Sequence, residues 1–336
     1  MCDKKKILLV LTGGTICSFA NGSGEQASDS ARAGTLIADN FKKGDSPYKN
    51  EVEFETLAAL NVLSENMTVA RWQELLAALK GADTARFDGI IILHGTDTLA
   101  YTAALLSVML AGTEIPVMLV GANRPLYDKS GNGNDNFAAA ISLIYEGIAP
   151  NVYAVYKNKD GLYLHYGAHL LQCAPHSDEF FSSTMMRIGE HSAHGFRAGE
   201  MLLYNCPPLK DCVMLLCPYV GLDYSRIRLD GVRAVLHPAY HSGTLATDTG
   251  DMAHSALLLK ERCDACGADL FIYPCKEDAA YRYETTGALI RAGVFATLRM
   301  SVEMTYAKLV VGCSMGLSGD ALQRFVNTEI NGEFIY

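Results

Sequence analysis

Positive charge is scarce in this sequence. Its 28 lysines and arginines are outnumbered by 37 aspartates and glutamates, for a formal net charge of -9. Nucleic-acid binding draws on clustered Lys and Arg. The one basic cluster, Lys4-Lys5-Lys6, is short and reads as a solvated strand flank, so no nucleic-acid partner is expected. Long apolar runs are also missing. The run after Lys6 ends at Thr12, too short for the apolar region of a signal peptide. The stretch from Thr102 to Val108 carries threonine and serine and falls short of the roughly 20 residues a membrane span needs. No signal peptide, no membrane partner and a cytoplasmic location are therefore expected. There is no internal repeat, low-complexity tract or coiled-coil heptad. The ten cysteines are scattered, unlike the framed cysteines of a small secreted domain. Cys263 and Cys266 have C-x-x-C spacing, but no second pair stands at zinc-ligand distance, and Cys275 and His254 are isolated. Free thiols on a helix end are the expected reading, and no metal is assigned.

What the sequence has is apolar substance. Of 336 residues, 49% are hydrophobic, ample for a large core and for about two domains. Ile7 to Leu11 read as a strand buried on both faces. Val52–Leu57, Gly89–Leu93, Pro116–Val120 and Val152–Tyr156 read as further strands. Helices are expected over Val69–Leu79, with Thr68 as N-cap, over Leu99–Leu110 and over Phe137–Glu146. Asn158-Lys159-Asp160-Gly161 is a turn signal that pairs Leu162–Tyr166 back as a hairpin. This alternation predicts an α/β fold with a larger N-terminal doubly wound, mostly parallel sheet. The expected divisions are 1–190 for that domain, 191–211 for a linker and 212–336 for a smaller α/β domain. Strands are expected there over Val213–Cys217, Val232–His237, Asp269–Pro274 and Ala307–Gly312, and helices near Asp251–Arg262 and Thr285–Ala292. Residues 18–50 are polar with little periodicity. Following the first strand, they read as a long mobile loop that closes over a site.

Two strand ends carry hydroxyls behind glycine. The first reads Thr12-Gly13-Gly14-Thr15-Ile16, the second His94-Gly95-Thr96-Asp97-Thr98. Ligands in open α/β sheets bind at the carboxyl ends of strands. Neighbouring parallel strands would bring both turns to one substrate. A threonine hydroxyl needs a base or a second hydroxyl to take its proton, and glycine N–H groups suit an oxyanion. Plainer alternatives remain open. Two glycines serve steric needs in many turns, and Thr-Asp-Thr is a common helix N-cap.

In combination the two motifs resemble the asparaginase/glutaminase family of bacterial amidohydrolases, closest to the cytoplasmic type I asparaginases. Leu63-Ser64-Glu65-Asn66-Met67-Thr68 resembles the family's substrate-binding serine segment, and Gly121-Ala122-Asn123-Arg124-Pro125 its Gly-x-x-Arg-Pro loop. Arg282-Tyr283-Glu284-Thr285 and Gly293-Val294 resemble the smaller domain's helix. The resemblance implies Thr15 as nucleophile, with Thr96 and Asp97 as a second catalytic cluster. Gly14, Ser64, Glu65 and Gly95 would bind substrate, and Asp97 would also hold the substrate ammonium. It implies hydrolysis of the side-chain amide of L-asparagine to L-aspartate and ammonia, with no metal or organic cofactor. It further implies a homodimer or homotetramer, a dimer of dimers, in which Tyr240–Thr244 is the stretch that would reach a neighbour's site. The sequence departs from the family twice. The segment Leu171-Gln172-Cys173-Ala174-Pro175-His176-Ser177-Asp178 has no lysine where the family pairs one with Thr-Asp. His176, Lys157 and Lys159 are the groups near enough in sequence to carry a proton instead. The loop after Thr15 has Phe19 and no tyrosine before Tyr48. These departures keep two other readings open: an amino-acid-binding or regulatory homologue with little turnover, and an amidase for another amide such as glutamine.

Overall fold

The computed structural model describes residues 4–189, 200–275 and 279–335. Cys2 and residues 191–199 of the expected linker lie outside the described residues. The chain divides into two compact units, one of residues 1–205 with 330–332, the other of residues 206–329 with 333–336.

The first unit opens with β1 (Lys5–Gly13), a hairpin of β2 (Ser18–Ala20) and β3 (Gln26–Ser28), and helix α1 (Ser30–Lys43). There follow β4 (Val52–Val62), α2 (Val69–Gly81), β5 (Gly89–Leu93), α3 (Leu99–Met109), β6 (Val117–Val120) and α4 (Gly133–Tyr145). The unit closes with β7 (Val152–Asn158), β8 (Gly161–Tyr166) and β9 (Met186–Arg187). The main sheet runs β4-β1-β5-β6-β7-β8-β9. The pairs up to β7 are parallel, and β8 and β9 return antiparallel. Counted along the chain, its five parallel strands stand in the order 2-1-3-4-5, which places the topological switch between β1 and β5.

Apolar runs account for the layers. Ile7, Leu9 and Leu11 join Ile37 and Phe41 of α1 and Phe137, Ile141 and Ile144 of α4 in one core. Leu8, Val10, Ile90 and Ile92 alternate to the opposite face and are equally buried. Both faces of the sheet are therefore covered, as its unbroken apolar strands require. On α2, Trp72, Leu75, Leu76 and Leu79 form the buried stripe, and Thr68 Oγ1 caps the helix by accepting from Arg71 N. Trp72 Nε1 donates to Thr102 Oγ1 of α3 at 3.0 Å.

The expected long loop over 18–50 is instead the short hairpin followed by α1. Asp29 caps this helix, accepting from Arg32 N at 3.1 Å. Ala33, Ile37 and Phe41, spaced by four, are its buried stripe. Polar residues and Gly34 dilute that spacing in the sequence, which hides the helix.

The second unit contains β10 (Val213–Leu215), β11 (Ala234–Pro238), α5 (Ala256–Cys266), β12 (Asp269–Tyr273), α6 (Glu284–Arg291), β13 (Phe295–Ala296), α7 (Val302–Ser314) and α8 (Gly319–Val326). Its four strands are parallel in the order β10-β11-β12-β13. The strand expected over Ala307–Gly312 lies within α7, and β13 is the fourth strand. A short apolar run does not reveal its period. Here Ser301 Oγ accepts from Met304 N at 3.0 Å and starts a helix, which is buried on nearly every side. Lys308 of α7 is fully buried with Glu333 as its ion-pair partner, and its Nζ also donates to Thr328 O at 2.6 Å. Cys263 and Cys266 are free thiols on α5, and burial pushes Cys263 up to about 12. Among the described residues no group of three or more His, Cys, Asp or Glu is arranged to hold a metal ion, and no helix is long and apolar enough to cross a membrane.

Candidate active site

The residues singled out in the sequence converge at the carboxyl ends of β4, β1 and β5. Leu11 pairs with Leu93 and Gly13 with Val62, so the turns that follow start side by side. Gly14 has φ 81° and ψ -173°, a region open essentially to glycine alone. A Cβ built on Gly14 would stand 2.1 Å from Gly95 Cα, and one on Gly95 would stand 2.5 Å from Ser64 Oγ. The two glycine turns therefore touch backbone to backbone, and the Ser64 side chain packs directly on Gly95. Only a residue without a side chain permits that approach.

This contact brings together Thr15, Thr96, Asp97 and Ser64. Ser64 is buried, and its Oγ donates to Asp97 Oδ2 at 3.0 Å while accepting from Asp97 N at 3.3 Å. Glu65 follows in the same 3-10 turn, with its side chain exposed. The hydroxyls on the two turns divide into two kinds. Thr12 Oγ1 donates to Leu93 O at 2.8 Å, and Thr98 Oγ1 to Ser64 O at 2.9 Å. Both are taken up in holding the turns together. Thr15 and Thr96 are half-buried, and neither hydroxyl has such a backbone acceptor among the described residues. Thr98 is the N-cap residue of α3, but no side chain of Thr96-Asp97-Thr98 makes a capping hydrogen bond to that helix. Gly14 N donates to Val62 O at 2.8 Å, which leaves its N–H unavailable to a ligand.

His94 directly follows β5 and opens the second turn. It is fully buried, and its Nδ1 lies 2.7 Å from Gly95 O. A carbonyl oxygen only accepts, so Nδ1 carries the proton and Nε2 is the bare nitrogen. Burial pushes this imidazole down to about 4. It is a neutral strut for Gly95.

On the other side of Thr96 and Asp97 lies a cavity of about 340 Å³, walled by Asn123, Tyr156 and residues 172–178. Asn123 and Tyr156 stand at the ends of β6 and β7, and sequence reasoning gave neither a role. Their signal is positional, since Asn123 follows buried β6 and Tyr156 lies near the end of buried β7. An asparagine network supports this wall. Asn123 N donates to Asn132 Oδ1 at 2.9 Å, Asn132 N to Asn123 Oδ1 at 3.0 Å, and Asn136 Nδ2 to Gly121 O at 3.0 Å. Lys157 and Lys159 do not line the cavity. Lys157 Nζ pairs with Asp135 at 2.6 Å, and Lys159 Nζ lies 4.0 Å from Glu179.

The hairpin that follows Thr15 is anchored by Phe19. Its ring lies under the Arg32 guanidinium at 4.0 Å and 6.0 Å from the Tyr127 ring. Gln26 Nε2 donates to Tyr127 Oη at 2.9 Å. A tyrosine thus does reach this hairpin, but from the loop after β6. Tyr48 instead stacks on Tyr145 at 4.1 Å and donates to Glu146 Oε1 at 3.2 Å. In the second unit, Tyr240–Thr244 closes its own turn, with Tyr240 N donating to Thr244 O at 3.0 Å.

Paired glycine turns stand at the switch of a doubly wound sheet and carry hydroxyls beside a serine–carboxylate contact, and the family match makes this chain an amidohydrolase of the α/β class. More particularly, the chain belongs to the asparaginase family: the family model for the asparaginase N-terminal region matches residues 6–197. Over 98% of both chains it is 26% identical to L-asparaginase 1 of Escherichia coli strain K12. Over 43% of this chain and 33% of the relative, it is 37% identical to a glutamyl-tRNA(Gln) amidotransferase component of Methanobrevibacter smithii. Among solved structures, L-asparaginase I from Vibrio cholerae matches with a TM-score of 0.76 at 22% identity, over 99% of this chain and 100% of that one. A structure described as a probable cytoplasmic L-asparaginase from Campylobacter jejuni matches with a TM-score of 0.68 at 18% identity, over 97% of this chain and 100% of that one.

Proposed function

We propose that the chain hydrolyses the side-chain amide of L-asparagine to L-aspartate and ammonia, with Thr15 as the nucleophile. The observation that supports this is the Gly14–Gly95 contact, which brings the turn carrying Thr15 against the turn carrying Thr96 and Asp97. Thr15 Oγ1 attacks the amide carbon, and Thr96 serves as the second hydroxyl through which its proton moves. The developing oxyanion meets N–H groups of the two turns other than that of Gly14. Ser64, Glu65 and Asp97 hold the carboxylate and ammonium end of the substrate, with Asp97 already fixed by Ser64. The reaction needs no metal or organic cofactor. The match to an E. coli L-asparaginase over 98% of the chain supports the substrate. We also propose a cytoplasmic homo-oligomer. None of the nine described cysteines is in a disulfide, which suits a reducing compartment.

The test is direct. Purified protein with L-asparagine releases ammonia. Thr15→Ala lowers kcat by about 10³-fold or more, with circular dichroism and Tm unchanged. A Thr15→Ala variant as active as the parent would remove Thr15 from this role. A second reading, an amidase for a glutamine-type amide, is favoured by the similarity to the amidotransferase. One methylene in a pocket changes selectivity by only about 1–3 kcal/mol. The ratio of ammonia release from L-asparagine and L-glutamine decides between them.

A further inference from the structure

The cavity beside Thr96 and Asp97 has an unusual wall. Residues 172–178 are pinned across it. Gln172 Nε2 donates to Asp97 O at 3.4 Å, Cys173 Sγ to Ser177 O at 2.9 Å, and Ser177 N to Ala174 O at 3.0 Å. The last bond closes a tight turn with Pro175 second and His176 third. His176 has φ 61° and is the one non-glycine residue with a left-handed backbone among the described residues. A turn with proline second and a positive φ third ordinarily takes glycine or asparagine there. A side chain kept at such a position is strained, and strain of this kind gathers at functional sites.

The chemistry of the wall is also restricted. The titratable groups facing the cavity are Asp97 from the turn after β5, Tyr156 from β7, and Cys173, His176 and Asp178 from the segment itself. Burial pushes the Tyr156 phenol up to about 12 and raises the Cys173 thiol. Asp97 and Asp178 contribute negative charge. No lysine or arginine lines the cavity. An imidazole is the one group of this set suited to both accept and return a proton at neutral pH.

We propose that His176 is the proton carrier of this site, held on the cavity wall by a strained turn so that its imidazole serves the Thr96–Asp97 cluster. This rests on the amidohydrolase reading of the same site. Thr15 Oγ1 forms its bond to the amide carbon, and its proton passes through the Thr96 hydroxyl to the neutral imidazole. The carbon–nitrogen bond then breaks. The imidazolium gives the proton to the departing nitrogen, which leaves as ammonia, and the acyl group remains as an ester on Thr15.

Two variants of the whole chain test this. His176→Asn tolerates the left-handed backbone and does not titrate. His176→Gly relieves the strain. Ammonia release is measured from pH 5 to 9 with Tm alongside, for the parent, both variants and Thr15→Ala. The parent is expected to show a kcat that depends on pH. His176→Asn loses about 10²-fold or more in kcat together with that dependence, while KM stays within a few-fold. His176→Gly is as inactive and melts no lower than the parent. A His176→Asn variant that keeps the parent's kcat and pH profile, beside an inactive Thr15→Ala, overturns the proton-carrier role alone. A parent that releases no ammonia from L-asparagine or L-glutamine overturns it together with the reading it rests on.

Discussion

A methyl group on Gly14 would fall 2.1 Å from the Cα of Gly95, and no side-chain rotation relieves a clash between two backbones. Gly14→Ala therefore has to separate β1 from β5 at the point where the candidate site sits. The lost φ/ψ region alone is worth about 1–3 kcal/mol. The variant is expected to lower the urea midpoint and to abolish ammonia release. Gly22→Ala, on the hairpin with no atom within 4 Å of the added Cβ, should change stability by less than about 0.5 kcal/mol and serves as the control. At this scale much was legible in the sequence. Strand, glycine and hydroxyl follow one another within each turn, so both turns could be read locally. That Thr12 and Thr98 are taken up by backbone carbonyls, leaving Thr15 and Thr96, depends on contacts with Leu93 and Ser64. Residue order does not contain those contacts. Asn123, Tyr156 and Tyr127 were hidden for the same reason, since each reaches the site through the sheet and not along the chain.

Helix α1 turns what reads as a loose loop into an anchored element. Its cap region is bound from several directions. Asp29 N donates to Cys17 O at 2.8 Å, and Asn61 Oδ1 accepts from Ser28 Oγ, Ser30 N and Ser30 Oγ at 2.8, 3.1 and 2.9 Å. The hairpin carrying Phe19 is thus tied to the end of β4 on one side and to Tyr127 on the other. Asp29→Ala removes the side-chain cap and should cost about 1 kcal/mol, read as a lower urea midpoint with an unchanged slope. A variant as stable as the parent would show the cap to be redundant with the Asn61 bonds. Elements with an unbroken apolar run, such as β1, β5 and β6, were legible with their boundaries nearly right. The two misread elements fail for opposite reasons. In α1 the apolar positions are too sparse to show their spacing. In α7 they are so dense that no spacing is visible, because burial all round removes the polar face that marks a helix.

At the scale of the whole molecule, three of the described histidines are held neutral by burial. His94, His165 and His237 are each pushed down to about 4, against about 6.5 in an unfolded chain. Between those values the unfolded chain binds protons that the folded chain does not. Their contribution to stability is therefore complete above about pH 6.5 and is lost as the pH falls toward 4, by up to about 1.4 kcal/mol per pH unit for each. Urea unfolding between pH 4.5 and 7.5 should show this acid loss, and His165→Gln should make it shallower. A parent whose stability is flat over that range would show that these rings are already protonated when folded. The two-unit division adds a constraint of a different kind. Ile330–Gly332 belong to the first unit, although the residues on either side belong to the second. Asn331 Nδ2 donates to Ser107 O at 3.1 Å and to Asn151 Oδ1 at 2.9 Å. Two residues on, Glu333 meets the buried Lys308. Neither unit is a contiguous piece of gene. Shuffling halves between relatives at a crossover near 205/206 would therefore exchange three residues of the first unit along with the second. A chimera at that point inherits a foreign plug over Ser107 and Asn151 unless 330–332 are grafted back.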